Sequence, residues 1–306
     1  MRSFEVRHLD VFTSKAFSGN PLMVVMDAEG LESTEMQAIA AEFNMPETTF
    51  ILPPEKPGND YKVRIFTPLK EIPFAGHPIV GTAHVVVTEE IVKVKKPRCT
   101  LKHETGIGVL PIEVIFDDEG APRVVMTQGR PEFFSILKEE QISSVAEALG
   151  VDEEEIRETG LAPQVVSTGL PQLFVPLKRL ETISKLTPDL RKVKKIEEEL
   201  GLEGVGVFTL ETRSREASVH LRFFAPSIGI EEDAAAGSAA GGLGAYLAKW
   251  KVLPEEKLGD FSIEQGLEMG RPSMLYVNVE VKGGNPIKVK VGGYSVTLLK
   301  GTLRLP

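Results

Sequence analysis

The chain has 306 residues, 42% of them hydrophobic and 26% charged, with a formal net charge of −9 at pH 7. This is the composition of a soluble globular protein with one large domain or two ordinary ones, and it excludes a disordered chain. Without a long basic run, the sequence also argues against nucleic acid or an anionic membrane surface as a partner. Cys99 is the single cysteine, which rules out an internal disulfide and a Cys-based zinc site and fits a reducing compartment.

No stretch approaches 18 apolar residues, so no membrane-spanning helix is expected. The first twelve residues alternate like a strand and carry acidic side chains, unlike a signal peptide, and the expected location is cytoplasmic. Phe4–Phe12 reads as the first strand, followed by the turn Ser18–Pro21 and a buried strand, L-M-V-V-M. Leu31–Phe43 has helical spacing, with Ser33 or Thr34 as its cap. Strands are predicted at Thr48–Leu52 and Tyr61–Phe66, then a buried helix over Phe74–Val87, opened by A-G-H-P. Strands near Thr100–Glu104 and Gly108–Phe116 lead to a loop, Asp117–Pro122, the expected crossing point to a second lobe.

Beyond it, Arg123–Gln128 reads as a strand, and Gln141–Leu149 and Asp152–Glu158 as short helices. Gln164–Ser167 and Gln172–Pro176 are strands around T-G-L-P, and Pro188–Leu200 is a charged surface helix. Gly204–Glu211 and Ala217–Phe224 are strands. Glu231, Glu232 and Asp233 stand where a helix over Ala234–Leu247 would begin, with Asp233 as N-cap. That helix has no amphipathic stripe, so it should be buried on all sides. Its glycines, poor helix formers, then serve close packing. Strands at Phe261–Gln265, Met274–Val281, Ile287–Val291 and Ser295–Leu305 complete an α+β chain.

The chain repeats itself at a distance. R-I-F-T-P at Arg64–Pro68 matches R-F-F-A-P at Arg222–Pro226, 158 positions on. After a three-residue insertion, Gly76 aligns with Gly237 and Gly81 with Gly242, 161 positions apart. S-G-N-P-L-M-V-V at Ser18 resembles T-G-L-P-Q-L-F-V at Thr168. Two such lobes would set their buried helices across a cleft, and small-molecule sites favour such interfaces. Glu47, His77, Asp233 and Ser238 would converge there.

Spacing alone leaves two readings for each of these residues. Glu47 is a helix-end residue or a proton shuttle, a role that suits a carboxylate at an apolar lip. His77 is a buried hydrogen-bonded histidine or a working one. Asp233 is a cap with or without a second task, and Ser238 a packing residue or a ligand contact. The P-loop, G-x-G-x-x-G, H-E-x-x-H and G-x-S-x-G patterns are all absent. A metal centre is therefore unsupported.

At these residues the sequence closely resembles the PhzF-like family of phenazine biosynthesis, within the diaminopimelate epimerase-like fold. The matching stretches are D-V-F-T-S-K-A-F-S-G-N-P at Asp10, P-E-T-T-F at Pro46, R-I-F-T-P at Arg64 and F-A-G-H-P-I-V-G-T-A at Phe74. E-D-A-A-A-G-S-A-A-G at Glu232 and E-Q-G-L-E-M-G-R-P-S at Glu264 complete the set. They cover nearly the whole chain in family order, each weak alone and together highly specific.

The resemblance implies two pseudo-symmetric lobes, each a strand-rich half-barrel around a central helix, with the active site between them. On that plan the N-terminal lobe is 1–118, completed by the last strand at about 293–306, and the C-terminal lobe is 119–292. It further implies cofactor-independent isomerisation of a small carboxylate-bearing substrate, typically by a homodimer. Epimerases of this fold use two thiols at the helix starts, where this chain has Gly76 and Gly237, so that mechanism has no thiols to run on. PhzF-like members use a carboxylate, which maps onto Glu47 as acid-base. Asp233 and His77 would orient the substrate and assist, Ser238 would hydrogen-bond it, and amides near Gly76 and Gly237 would hold its carboxylate.

The family's second motif usually reads E-D-P-A-T-G-S-A. Here Ala234 replaces the Pro and Ala236 the Thr, a departure that bears on the substrate rather than the fold. Two other readings accompany the isomerase: a non-catalytic small-anion-binding or regulatory protein on the same fold, and an amino-acid epimerase. The epimerase would need Asp233 or His77 as a second acid-base.

Overall fold

The computed structural model describes residues 1–117 and 120–306. Its contacts divide the chain into two compact units, Met1–Met126 with Gly292–Pro306, and Thr127–Val291. The lobe boundary expected at 118/119 falls on residues outside the described ones.

The first unit opens with β1 (Arg2–Val11) and β2 (Asn20–Val25), an antiparallel pair. The helix α1 (Ser33–Phe43) then crosses to β3 (Glu47–Leu52), which runs parallel to β2. A parallel neighbour requires such a crossover. The strand β4 (Tyr61–Phe66) returns beside β3, and the short β5 (Glu71–Ile72) pairs with β4. The helix α2 (Gly76–Thr88) leads to β6 (Arg98–Thr105), parallel to β4, and antiparallel β7 (Gly108–Phe116) and β8 (Pro122–Thr127) follow.

In the second unit β9 (Glu132–Ile136), α3 (Glu139–Leu149) and α4 (Glu153–Arg157) precede β10 (Gln164–Ser167), which pairs with β9. The strand β11 (Pro171–Pro176) is antiparallel to β10, and α5 (Leu180–Ser184) and α6 (Leu190–Leu200) cross to β12 (Val205–Thr209), parallel to β11. Then come β13 (Val219–Ala225), β14 (Ile230–Asp233), α7 (Gly237–Lys249), β15 (Phe261–Gln265), β16 (Ser273–Lys282) and β17 (Asn285–Gly293). The last strand, β18 (Ser295–Leu305), belongs to the first unit, antiparallel to β1.

The duplication extends to individual hydrogen bonds. In each unit a parallel pair (β2/β3, β11/β12) is followed by an antiparallel strand (β4, β13), a short antiparallel partner (β5, β14), a 13-residue buried helix and a parallel strand (β6, β15). Arg64 forks onto Glu71 at 2.7 and 2.6 Å, and Arg222 onto Glu232 at 2.8 Å twice. Each guanidinium lies 5.1 Å from a ring centroid, Phe66 in one case and Phe224 in the other. Glu104 accepts the N–H groups of Glu55 and Lys56, and Glu264 those of Arg213 and Ser214. Even the proline turns are held alike: Gln37 of α1 donates to Thr67 O and Pro68 O, while Glu197 of α6 accepts from Ser227 N.

Several boundaries differ from expectation. Neither Ser33 nor Thr34 caps α1; Glu32 is its N-cap residue, and the Glu35 carboxylate reaches back to the Glu32 N–H at 3.0 Å. The two buried helices start at Gly76 and Gly237, later than the expected Phe74 and Ala234. Asp233 is not the N-cap of α7. Pairing with β13 draws the acidic run into β14, so Asp233 lies opposite Phe223 and its Oδ1 accepts the Ala235 N–H at 2.9 Å. The short elements β5, β9, β14 and α5 have too few residues to show a period.

Both α2 and α7 are buried along nearly their whole length, and glycine makes that possible. A methyl group on Gly81 would stand 2.5 Å from Leu22 Cδ2 and 2.7 Å from Val11 Cγ2. One on Gly242 would stand 2.7 Å from Phe174 Cζ, and one on Gly244 the same distance from Val277 Cγ1. Overpacking a filled core costs about 1–3 kcal/mol, so Gly81→Val should lower the urea midpoint by that equivalent. Gly259→Ala, with nothing within 4 Å of the new methyl, should leave it nearly unchanged.

Two histidines are enclosed in the first unit: His84 on α2, 5% exposed, and His103 on β6, fully buried. Burial pushes each down to about 4. Burial also raises Tyr61, so its phenol keeps the proton, and its Oη lies 3.0 Å from His103 Nδ1. The folded-state values lie below the unfolded value near 6.5, so the unfolded chain takes up protons first as pH falls. This contribution to stability is complete above about pH 6.5 and declines towards about pH 4. Unfolding free energy should fall across that window by about 1 kcal/mol per pH unit for each histidine. His103→Asn should flatten the slope in chemical denaturation, whatever it does to absolute stability.

Candidate functional site

In the first unit the local sequence brings two of the four singled-out residues together. Glu47 is the first residue of β3, opposite Leu22 in the parallel register with β2. Gly81 lets α2 press against Leu22, and Thr82 Oγ1 donates to Thr49 Oγ1 at 2.8 Å, tying the helix to β3. One turn earlier on α2, His77 points its Nε2 to within 3.1 Å of Glu47 Oε2. Both side chains are buried, at 6% and 8% exposure. A buried carboxylate beside an imidazole can hold, give and recover a proton.

In the second unit Asp233, Gly237 and Ser238 share one short segment, the strand end and first turn around the entrance of α7. The matched first turns carry different chemistry: Gly76 and Gly237 open the helices, and His77 in α2 corresponds to Ser238 in α7. Ala75 and Ala236 occupy the two N-cap positions, and neither helix has a side-chain cap. First-turn N–H groups with no cap favour an anion.

Sequence reasoning missed three glutamines that hold this segment, Gln172 and Gln265 buried and Gln128 half-buried. Gln265 donates to Asp233 O at 2.7 Å and accepts the Ala236 N–H at 3.2 Å. Gln128 donates to Gly237 O at 2.7 Å and accepts from Thr168 Oγ1. Gln172 donates to Ser238 Oγ at 3.1 Å. Gln265 lies in the E-Q-G stretch already noted, but nothing in its spacing shows that its amide faces backbone.

On the other face of β15, His220 Nδ1 lies 2.8 Å from Glu264, and its Nε2 is 3.3 Å from Glu268. Burial opposes charge on this imidazole, but the two carboxylates outweigh it and raise its proton affinity. Glu264 also accepts the N–H groups of Arg213 and Ser214, and Glu268 the Arg213 guanidinium, which makes this a structural cluster. Among the described residues no three His, Cys, Asp or Glu side chains are arranged to hold a metal ion. No described helix is long and apolar enough to cross a membrane.

Comparison with known proteins agrees with this architecture. Residues 9–301 match the family described as phenazine biosynthesis-like protein. An uncharacterized isomerase of Clostridium acetobutylicum is 34% identical, covering 100% of this chain and 99% of that protein. The trans-2,3-dihydro-3-hydroxyanthranilate isomerase of Pseudomonas chlororaphis is 33% identical, over 97% of this chain and 98% of its own. The crystal structure of a PhzF-family phenazine biosynthesis protein from Bacillus anthracis superposes with a TM-score of 0.88 at 27% identity, all of both chains covered. The chain belongs to the phenazine biosynthesis-like, or PhzF, family and is an isomerase with that family's α+β fold.

Proposed function

We propose that the protein moves a proton within a small carboxylate-bearing molecule, with Glu47 as the acid-base. The observation that carries this reading is the buried Glu47–His77 pair, 3.1 Å apart at the uncapped entrance of α2. Glu47 takes a proton from one substrate carbon, the double bond shifts, and the same carboxyl returns the proton at another carbon. No oxidation state changes in the sum, so the step calls for neither redox group nor electron acceptor. His77 orients the carboxylate, and Asp233 positions a polar group of the substrate and assists the transfer.

The substrate carboxylate is held by amides near Gly76 and Gly237 and by Ser238. Gln172 supports this assignment: its amide donates to Ser238 Oγ, so the Ser238 hydroxyl proton is left to point at an acceptor. Holding the carboxylate fixes the reacting carbon at proton-transfer distance, which is where such binding gains rate. A homodimer and a cytoplasmic setting complete the proposal; the lone Cys99 fits the latter.

The test follows solvent deuterium entering the substrate by proton NMR. The first candidate is trans-2,3-dihydro-3-hydroxyanthranilate, named for a relative, followed by a panel of small unsaturated hydroxy- and amino-carboxylates. Glu47→Gln should lower exchange about 10²–10⁴-fold while ligand binding stays measurable. Full exchange in that variant would sink the role given to Glu47. Binding without exchange by the wild type would favour a small-anion-binding protein instead.

A further inference from the structure

The duplicated fold supplies its own control. Register and hydrogen bonding align Asp233 with Ile72, Ala234 with Pro73, Ala236 with Ala75 and Gln265 with Thr105. In both units the glycine after the last of these positions presses on the segment before the buried helix. A methyl group on Gly106 would meet Pro73 Cα at 2.7 Å, and one on Gly266 would meet Ala234 O at 2.5 Å. That contact belongs to the fold, because both halves have it.

The glutamine clamp does not. In the first unit Thr105 spends its hydroxyl inside its own turn, donating to Gly108 O at 2.9 Å. In the second, Gln265 is fully buried and binds both sides of the loop into α7, at Asp233 O and Ala236 N. Each end of its amide meets a backbone partner of the right polarity, which fixes the orientation of the group. The carboxylate and the clamp occur together in one half and are missing together from the other, where the same helix is entered without them.

We infer that Gln265 is a positioning residue: it holds the Asp233–Ala236 loop so that the Asp233 carboxylate meets the substrate at a fixed place. This rests on the function proposed above, in which Asp233 positions a polar group of the substrate. Gln265 itself touches backbone only. Its neighbour Glu264 faces the opposite side of β15, toward His220, and takes no part.

The experiment uses the full-length protein and the first carboxylate of the panel for which the wild type shows deuterium exchange. Gln265→Leu removes both bonds at similar volume. It should lower kcat about tenfold or more per folded molecule, as expected when a reacting group is displaced, with KM changed by less than about threefold. Gln265→Glu keeps the acceptor for Ala236 and loses the donor to Asp233 O while the new carboxyl is ionised. Relative to wild type it should be slow at about pH 8 and recover as the pH falls through the pKa of the new carboxyl, which burial raises above the ordinary value, because the protonated carboxyl again donates and accepts. A purely structural role would lower activity only in step with the folded fraction, which circular dichroism reads at each pH. That result, or unchanged kcat in both variants, would overturn the inference. The isosteric Gln265→Glu carries the test alone if Gln265→Leu does not fold. A wild type that exchanges no carboxylate of the panel would instead overturn the proposed function.

Discussion

A helix buried on every side is the constraint from which the rest of each unit follows. It has no solvent face to wet its backbone ends, so its entrance must be met by protein groups or by a ligand. It must also be thin, because strands press on it from more than one direction. The glycines of α2 and α7 meet the second demand; Gly81 and Gly242 each stand where a single methyl group would strike a neighbouring side chain. The first demand is met differently at the two ends, and there the chemistry collects. Ala75 and Ala236 offer no capping oxygen, while His77 and Ser238 stand at the second helical position.

The two units show which features the fold needs. The Arg–Glu forks, the glutamates that gather two loop amides and the residues that pin the proline turns all recur at matched positions. Such features support the architecture whatever the protein does. What fails to recur is Asp233 with Gln265 on one side, and the histidine of the Glu47–His77 pair on the other, where α7 has a serine. Under the proposed function, unlike residues at the matched helix entrances suit a proton transfer carried by a single carboxylate. Identical entrances would favour a symmetric chemistry with paired acids, as two thiols would supply.

Much of this was legible in the sequence, because long strands and small-residue helices leave periodic traces. β15 and β18 were read to the residue, and the repeat was visible from R-I-F-T-P and R-F-F-A-P. The misreading of Asp233 has a physical cause. An acidic residue before a helix looks like a cap, but pairing of β14 with β13 outweighs that local preference. The pairing depends on Phe223, ten positions away, and on the fork from Arg222 to Glu232. Of the site, Glu47 and His77 could be named from motif and resemblance, but not their 3.1 Å approach. Gln128, Gln172 and Gln265 left no trace, since a glutamine that clamps backbone has the same letter as one in solvent and only its partners tell them apart.

Those three amides also explain what kind of ligand the entrance of α7 suits. Each donates to an oxygen of that segment: Gly237 O, Ser238 Oγ and Asp233 O. They occupy those acceptors, while Gln265 and Asp233 take the N–H groups of Ala236 and Ala235, so the Ser238 hydroxyl proton and the N–H groups beyond Ala236 are the donors an anion at this entrance would meet. A lysine or arginine in their place would neutralise Asp233 and bind the anion by charge, with little control of geometry. An acidic residue would repel it. Neutral amides hold the loop without adding charge, so an anion at this entrance would respond to the helix dipole and to directed donors. Under the proposed function, that combination would fix the orientation of the substrate carboxylate, and orientation is what a proton carried from one carbon to another requires.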